Sequence, residues 1–201
     1  RAIGAELSGA QPLNPGSPLP RGKLHLASGL VELRSEKGAV VVLEAPARFV
    51  WPATERLVLA EGRASADVPE AAVGFTIETP EAELQDLGTR FGVDVSARGE
   101  SRLHVFEGEV LASPLPLRKE NSSQVASRGV RQGEALVIVG GEVSQAQVRG
   151  SAFLASEEVR ALYSMTCEYH LLDLNTMDRD EYTPLWRRVE KEGILLFGEL
   201  P

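Results

Sequence analysis

Short alternations of apolar and polar residues govern the first three quarters of the chain. Leu24/Leu26, Val31/Leu33 and Val41/Leu43 recur two positions apart, so each pair falls on one side of an extended backbone. The pattern predicts strands over 23–27, 29–34 and 39–44, punctuated by Gly22, Gly29 and Gly38. Glu36-Lys37-Gly38 predicts a hairpin turn. Strands continue over 56–60, 75–78, 91–95, 101–106 and 135–139, with no long helical period between them. Turn signals recur roughly every 8–12 residues, the spacing of all-β architectures. The expectation is a mainly β fold: an antiparallel β-sandwich or a short, irregular β-solenoid of glycine-punctuated strands, with a small, mostly helical C-terminal extension. A weak echo runs through Glu61-Gly62-Arg63-Ala64, Glu107-Gly108-Glu109-Val110, Gln132-Gly133-Glu134-Ala135 and Gly140-Gly141-Glu142-Val143. Its glycines are 46, 25 and 8 residues apart, so it reads as one turn chemistry reused between antiparallel strands rather than a fixed repeat.

The texture changes near residue 150. Eighteen of the 20 valines precede it, whereas all three tyrosines, both methionines and Cys167 follow it. Ser156 is placed to cap a helix whose first turn holds Glu157 and Glu158, with Val159, Leu162 and Tyr163 on one face. Thr183-Pro184 marks a second helix start and Gly193 its end. At the other end, Pro12, Pro15, Pro18 and Pro20 favour an extended strap, because proline fixes φ and lacks an amide donor. Three parts are expected: a proline-rich linker over 1–21, an all-β domain over 22–150 and an α-containing extension over 151–201.

Charge narrows the partners. The chain carries 21 Lys and Arg against 29 Asp and Glu, a net −8, and the tail alone holds five basic and ten acidic residues. That balance opposes nonspecific nucleic-acid binding and docking on anionic lipid, both of which need clustered basic side chains. Neither nucleic acid nor direct membrane contact is expected, and oligomeric state is left open. One cysteine excludes an internal disulfide. No apolar run approaches the roughly 18 residues of a membrane helix.

The search for chemistry gives little. The sequence has no Gly-x-Ser-x-Gly, His-Glu-x-x-His, Walker or Gly-x-Gly-x-x-Gly pattern. His25 and His104 each interrupt a strand and are expected to face solvent. Cys167 and His170 are two ligand types without further partners, and Cys167 reads as a small buried hydrophobe. The run Asp173 to Glu181 lacks the oxygen and glycine positions of a calcium loop and reads as a solvated acidic loop. Glu78, Glu81, Glu83 and Asp86 flank Pro80 and read as the wet face of a strand rather than a hydrolytic pair. Asn121-Ser122-Ser123 is a sequon by letter only. No catalytic, cofactor-binding or metal residue is assigned, and no cofactor is expected.

The strongest signal is LAEGRASADVPEAAVGFTIETPEAELQDLGTRFGV over 59–93. It resembles the FecR family, with a Gly-Arg step at Gly62, a Phe-x-x-x-Thr-Pro element at Phe75, Thr79 and Pro80, and Leu87-Gly88-Thr89 followed by Phe91 and Val93. SGLVEL at 28–33 and GAVVVLEAPARFVW at 38–51 resemble the family's earlier strands. SRLHVFEGEV at 101–110, with Gly108, and RQGEAL at 131–136 resemble its closing elements. The resemblance implies a periplasmic, non-enzymatic regulatory domain acting through protein partners. Its better-known members are single-pass inner-membrane proteins that take a signal from an outer-membrane TonB-dependent receptor and control an extracytoplasmic-function sigma factor. Their membrane helix and cytoplasmic segment do not occur within these residues; their place would be upstream of Arg1, and the proline-rich strap over 12–20 would suit a membrane-proximal spacer.

The motif residues themselves read as architecture. Thr79 precedes a proline and must be extended. Gly88 suits a bend between strands, and Phe91 and Val93 share a face that Gly92 leaves bare on the other side. Two functions follow: a signalling module that binds a protein partner, or a polysaccharide-binding or structural β-module of a larger envelope protein, in which Trp51 or Trp186 would carry the glycan.

Overall fold

A computed structural model describes residues 2–8, 18–20, 22–115 and 126–161. Its strands are β1 (Ala2–Ser8), β2 (Leu24–Arg34), β3 (Val40–Ala53), β4 (Arg56–Asp67), β5 (Thr76–Glu78), β6 (Ala82–Asp86), β7 (Arg90–Val95), β8 (Ser101–Glu107), β9 (Glu109–Pro114), β10 (Arg128–Arg131), β11 (Ala135–Val139) and β12 (Glu142–Ala146). Among the described residues one α-helix, α1, occupies 156–161. The fold is mainly β, as the alternation predicts.

The long strands β1 to β4 form an antiparallel ribbon. β3 has fourteen residues, yet Glu55 at its far end accepts hydrogen bonds from Ser35 Oγ (2.9 Å) and Lys37 N (3.0 Å), in the turn before its near end. The ribbon is therefore creased and doubled back. The crease runs through register shifts in β1 after Ile3, in β2 between Leu26 and Leu30 and in β3–β4 between Glu44 and Arg48. It is lined by Gly4, Gly29, Gly62 and the cis Ala45–Pro46 peptide. Packing requires glycine at two of these points. A β-carbon at Gly29 would lie 2.3 Å from Gly4 O, and one at Gly62 would lie 2.5 Å from Pro46 O.

Each half of the ribbon extends into one layer. Beyond the first half of β4, β5 pairs in parallel, and β6, β9 and β10 follow. Beyond its second half, β7, β8, β11 and β12 pair antiparallel. Among the described strands only β4–β5 pair in parallel, because β4 and β5 are joined by a crossing over 68–75 rather than a hairpin. The core lies between the layers. Val41, Leu43, Phe49, Leu57, Leu59, Phe75, Phe91 and Val93 are among its members, each 2% exposed or less.

Several expectations change in detail. Residues 2–8, expected within the extended linker, are a strand bonded to β2, while 9–17, with Pro12 and Pro15, lie outside the described residues. Gly29 does not end a strand but bulges within one. Strands β6, β9, β10 and β12 were not set out as separate strands by alternation. Ser156 does not cap α1. Ala155 precedes the helix, its N–H donates to Glu158 Oε2 at 2.6 Å, and the Ser156 hydroxyl turns to Glu32. Leu162, Tyr163, Cys167, His170, the acidic 173–181 run, Thr183-Pro184, Trp186, Gly193 and the 121–123 sequon fall outside the described residues.

Candidate functional site

Three crossings carry the chain between the layers at one edge: Leu87 to Thr89 between β6 and β7, Gly108 between β8 and β9, and Gln132 to Glu134 between β10 and β11. They stack. Leu87 N donates to Glu109 O at 3.2 Å, Gln132 N to Gly108 O at 2.9 Å, and Gly133 N to Val105 O at 2.9 Å. Val68, on the earlier crossing, donates to Thr89 O at 3.0 Å. Gly88, Gly108 and Gly133 have φ of 94°, 76° and 81°. A β-carbon at Gly108 would meet Gly88 O at 2.5 Å, so these two corners sit backbone against backbone. The sequence echo thus has three structural meanings: Gly62 marks the crease, Gly108 and Gly133 mark crossings, and Gly140-Gly141 is the hairpin turn between β11 and β12.

Asp86 anchors this column. It is fully buried and accepts from Gly88 N at 2.8 Å through Oδ2 and from the Thr89 hydroxyl through Oδ1. Burial pushes its pKa up, against the pull of the hydrogen bonds from Thr89 and Gly88. The wet-face reading therefore fails for Asp86. It lies on an inward position of β6, whose own alternation alternates burial with exposure. Glu78 and Glu83 instead pair with Arg56, at 2.9 Å for Glu83, and Arg56 has its pKa raised first by the hydrogen bond to Glu78.

A second knot closes the opposite end. Thr79 is 2% exposed, and its hydroxyl accepts from Ala82 N (3.0 Å) and from Ser101 Oγ (2.9 Å). Pro80 meets the β7–β8 turn at Gly99, where a β-carbon would lie 3.4 Å away. Phe75 is buried beneath Trp51, with ring centroids 5.8 Å apart. Leu87 differs from the other motif residues: it is 48% exposed, beside exposed Val73.

The outward face of β2, β3, β4, β7 and β8 is polar, and residues 149–161 lie across it. Phe153 sits over Gly92, where a β-carbon would be 2.6 Å from its ring. The expected bare face at Gly92 thus receives a ring. His104 stacks on that ring at 5.2 Å and Phe106 at 5.7 Å. His104 is 5% exposed, not solvent-facing, because this segment covers it; burial lowers its pKa, and its Nδ1 accepts from Arg149 N at 3.3 Å. Glu44 Oε1 accepts from Leu154 N at 3.1 Å, the Ser65 hydroxyl donates to Leu154 O, and Ser156 Oγ donates to Glu32 Oε2 at 3.0 Å. Arg63 pairs with Glu44 at 3.3 Å. A cleft of about 480 Å³ remains beside the segment, lined by Val40, Asp67, Arg90, Phe106 and Glu157 among others. Single-sequence reasoning could not pair positions 110 or 124 residues apart; the only local signal was Gly92.

Among the described residues, no group of three His, Cys, Asp or Glu side chains is placed to hold a metal, and no helix is long and apolar enough to cross a membrane.

The family model described as FecR protein matches residues 26–111, from β2 into β9. This segment is similar to FecR domains. It contains the crease, the Thr79 knot and the first two glycine corners of the column. No curated protein matches the chain significantly. Two crystal structures of a candidate anti-sigma factor from Parabacteroides distasonis share the fold, each with a TM-score of 0.51 at 17% identity over 65% of this chain. The match spans 61% of that protein's length. The matched segment alone does not complete the folded unit, since β10 to β12 and residues 149–161 pack onto it from beyond residue 111.

Proposed function

We propose that this chain is an extracytoplasmic, non-catalytic regulatory module of an anti-sigma-type signalling protein, acting through protein–protein contact. The family match over 26–111 carries the reading. The likeness in fold to a candidate anti-sigma factor supports it. The use of the titratable groups also supports it: Asp86 holds a turn, Arg56 joins two strands, and Glu32 and Glu44 hold the chain's own residues 154 and 156. The motif residues Gly62, Phe75, Thr79, Pro80, Gly88, Thr89, Phe91, Val93 and Gly108 serve the scaffold in this reading. In the glycan alternative, Trp51 is half-buried and has its ring beside Phe75 rather than standing free on the surface.

The test is affinity capture with the full chain from envelope and cytosolic fractions of its host. Retention of a sigma factor or of a receptor's periplasmic domain is expected. Capture of neither, with binding to envelope polysaccharide instead, would overturn the reading.

A further inference from the structure

The two faces of the second layer are built from different chemistry. Its inward face carries Val41, Leu43, Ala64, Ala66, Phe91 and Val93, which are viable only when covered. Its outward face carries Glu32, Glu44, Arg63, Ser65, Arg90 and His104 around a small apolar strip of Leu30 and Val42. The polar part of this face does not require a cover, because water can replace its hydrogen bonds; only the apolar strip with Leu30 and Val42 gains from burial. Yet it is covered, and specifically. The polar groups of the sheet reach the covering segment mainly at its backbone: Arg149 N, Leu154 N and Leu154 O. One ring, Phe153, fills the hole that Gly92 leaves in the sheet. Leu154 and Val159 complete a satellite cluster with Ile3, Leu30 and Val42, separate from the main core. No ladder joins residues 149–161 to any strand.

We propose that residues 149–161 are a releasable clasp, and that the outward face of β2, β3, β4, β7 and β8 is its seat, a peptide-receiving surface that reads an extended Phe-Leu-x-Ser segment. The ring in the Gly92 hole supplies shape, Glu44 and Ser65 read both polar atoms of one peptide residue, and Glu32 reads the serine. On release, the carboxylates return to water and the folded layers stay closed. Docked, the clasp ties the chain beyond residue 161 to the centre of the FecR-like segment. The clasp works in this way whichever partner the chain meets.

Hydrogen exchange of the full chain, read by mass spectrometry, tests this with Gly92→Ala and Phe153→Ala. The first adds a carbon where the ring sits, and the second removes the ring. Both are expected to raise exchange over 149–161 by at least about tenfold while β3, β4 and β7 keep their protection, since local opening is then separable from global opening. Two results would overturn the proposal: unchanged protection of 149–161 in both variants, or loss of protection in β3, β4 and β7 in step with the segment. If Gly92→Ala alone disturbs β7, Phe153→Ala decides between them, because it leaves the sheet untouched.

Discussion

At the scale of single residues, the same glycine signal hides different energies. Gly108 and Gly133 share a positive φ, but only Gly108 faces backbone within 2.5 Å, while a β-carbon at Gly133 meets nothing within 4 Å. Gly133→Ala should therefore cost only backbone strain, about 1 kcal/mol, whereas Gly108→Ala adds a clash and should cost about 3 kcal/mol or more in urea unfolding. Equal losses would refute the stacked corners. Leu87 and Phe91, four positions apart, should separate as sharply. Leu87→Ser should stay within about 0.5 kcal/mol of the parent, whereas Phe91→Ala should lose about 3–5 kcal/mol. Titration adds two signs. Asp86 has a raised folded pKa, so its contribution is fully present below the ordinary carboxylate range and is lost as pH rises through the folded value. The Asp86→Asn variant should therefore lose its disadvantage, relative to the parent, as pH rises from about 3 to 7. His104 is shifted the other way, with Asp94 opposing and Arg102, Arg149 and Arg63 reinforcing the effect of burial. Its contribution is present above about pH 6.5 and is lost on acidification through the lower folded value. His104→Gln should flatten the fall in Tm between about pH 7 and 5. An unchanged slope would mean that the imidazole is not the group responsible.

At the scale of elements, legibility tracked the range of the cause. The strands around Val31/Leu33 and Val41/Leu43 were readable because one side of each faces a core, and the Glu36–Gly38 turn because its chemistry is local. β1 was not readable: residues 2–8 have the same alternation but stand beside a proline strap whose composition dominates the reading. The long reach of β3 and β4 was cut short at glycines and a proline that mark a crease, not an end. Among the motif residues, Phe75, Thr79, Thr89, Phe91 and Val93 are buried. Leu87 broke the pattern by being exposed, and Asp86 and His104 were misjudged because what buries each is a crossing or a segment that alternation does not encode.

At the scale of the whole molecule, the two layers share the strands β2, β3 and β4 of one ribbon. The Glu55 carboxylate that joins the two turns holds the fold shut at its open edge. Glu55→Ala should cost about 1 kcal/mol, in keeping with the loss of partly exposed hydrogen bonds. Gly62→Ala should cost more, since its β-carbon would enter the crease itself. Comparable Tm values for the two variants would contradict a crease closed by sterics and merely latched by Glu55. The parallel β4–β5 pair and the distant crossings also give the fold a high share of nonlocal pairing, the feature that slows folding.

Ile3 and Val159 touch the same small cluster on the outward face, so the incoming and outgoing stretches of chain meet on one side of the molecule. Tension applied between them would load β1 and the clasp at their shared margin. The creased interior would be shielded, and the first event under force would be a local peel at that margin rather than a rupture of the body.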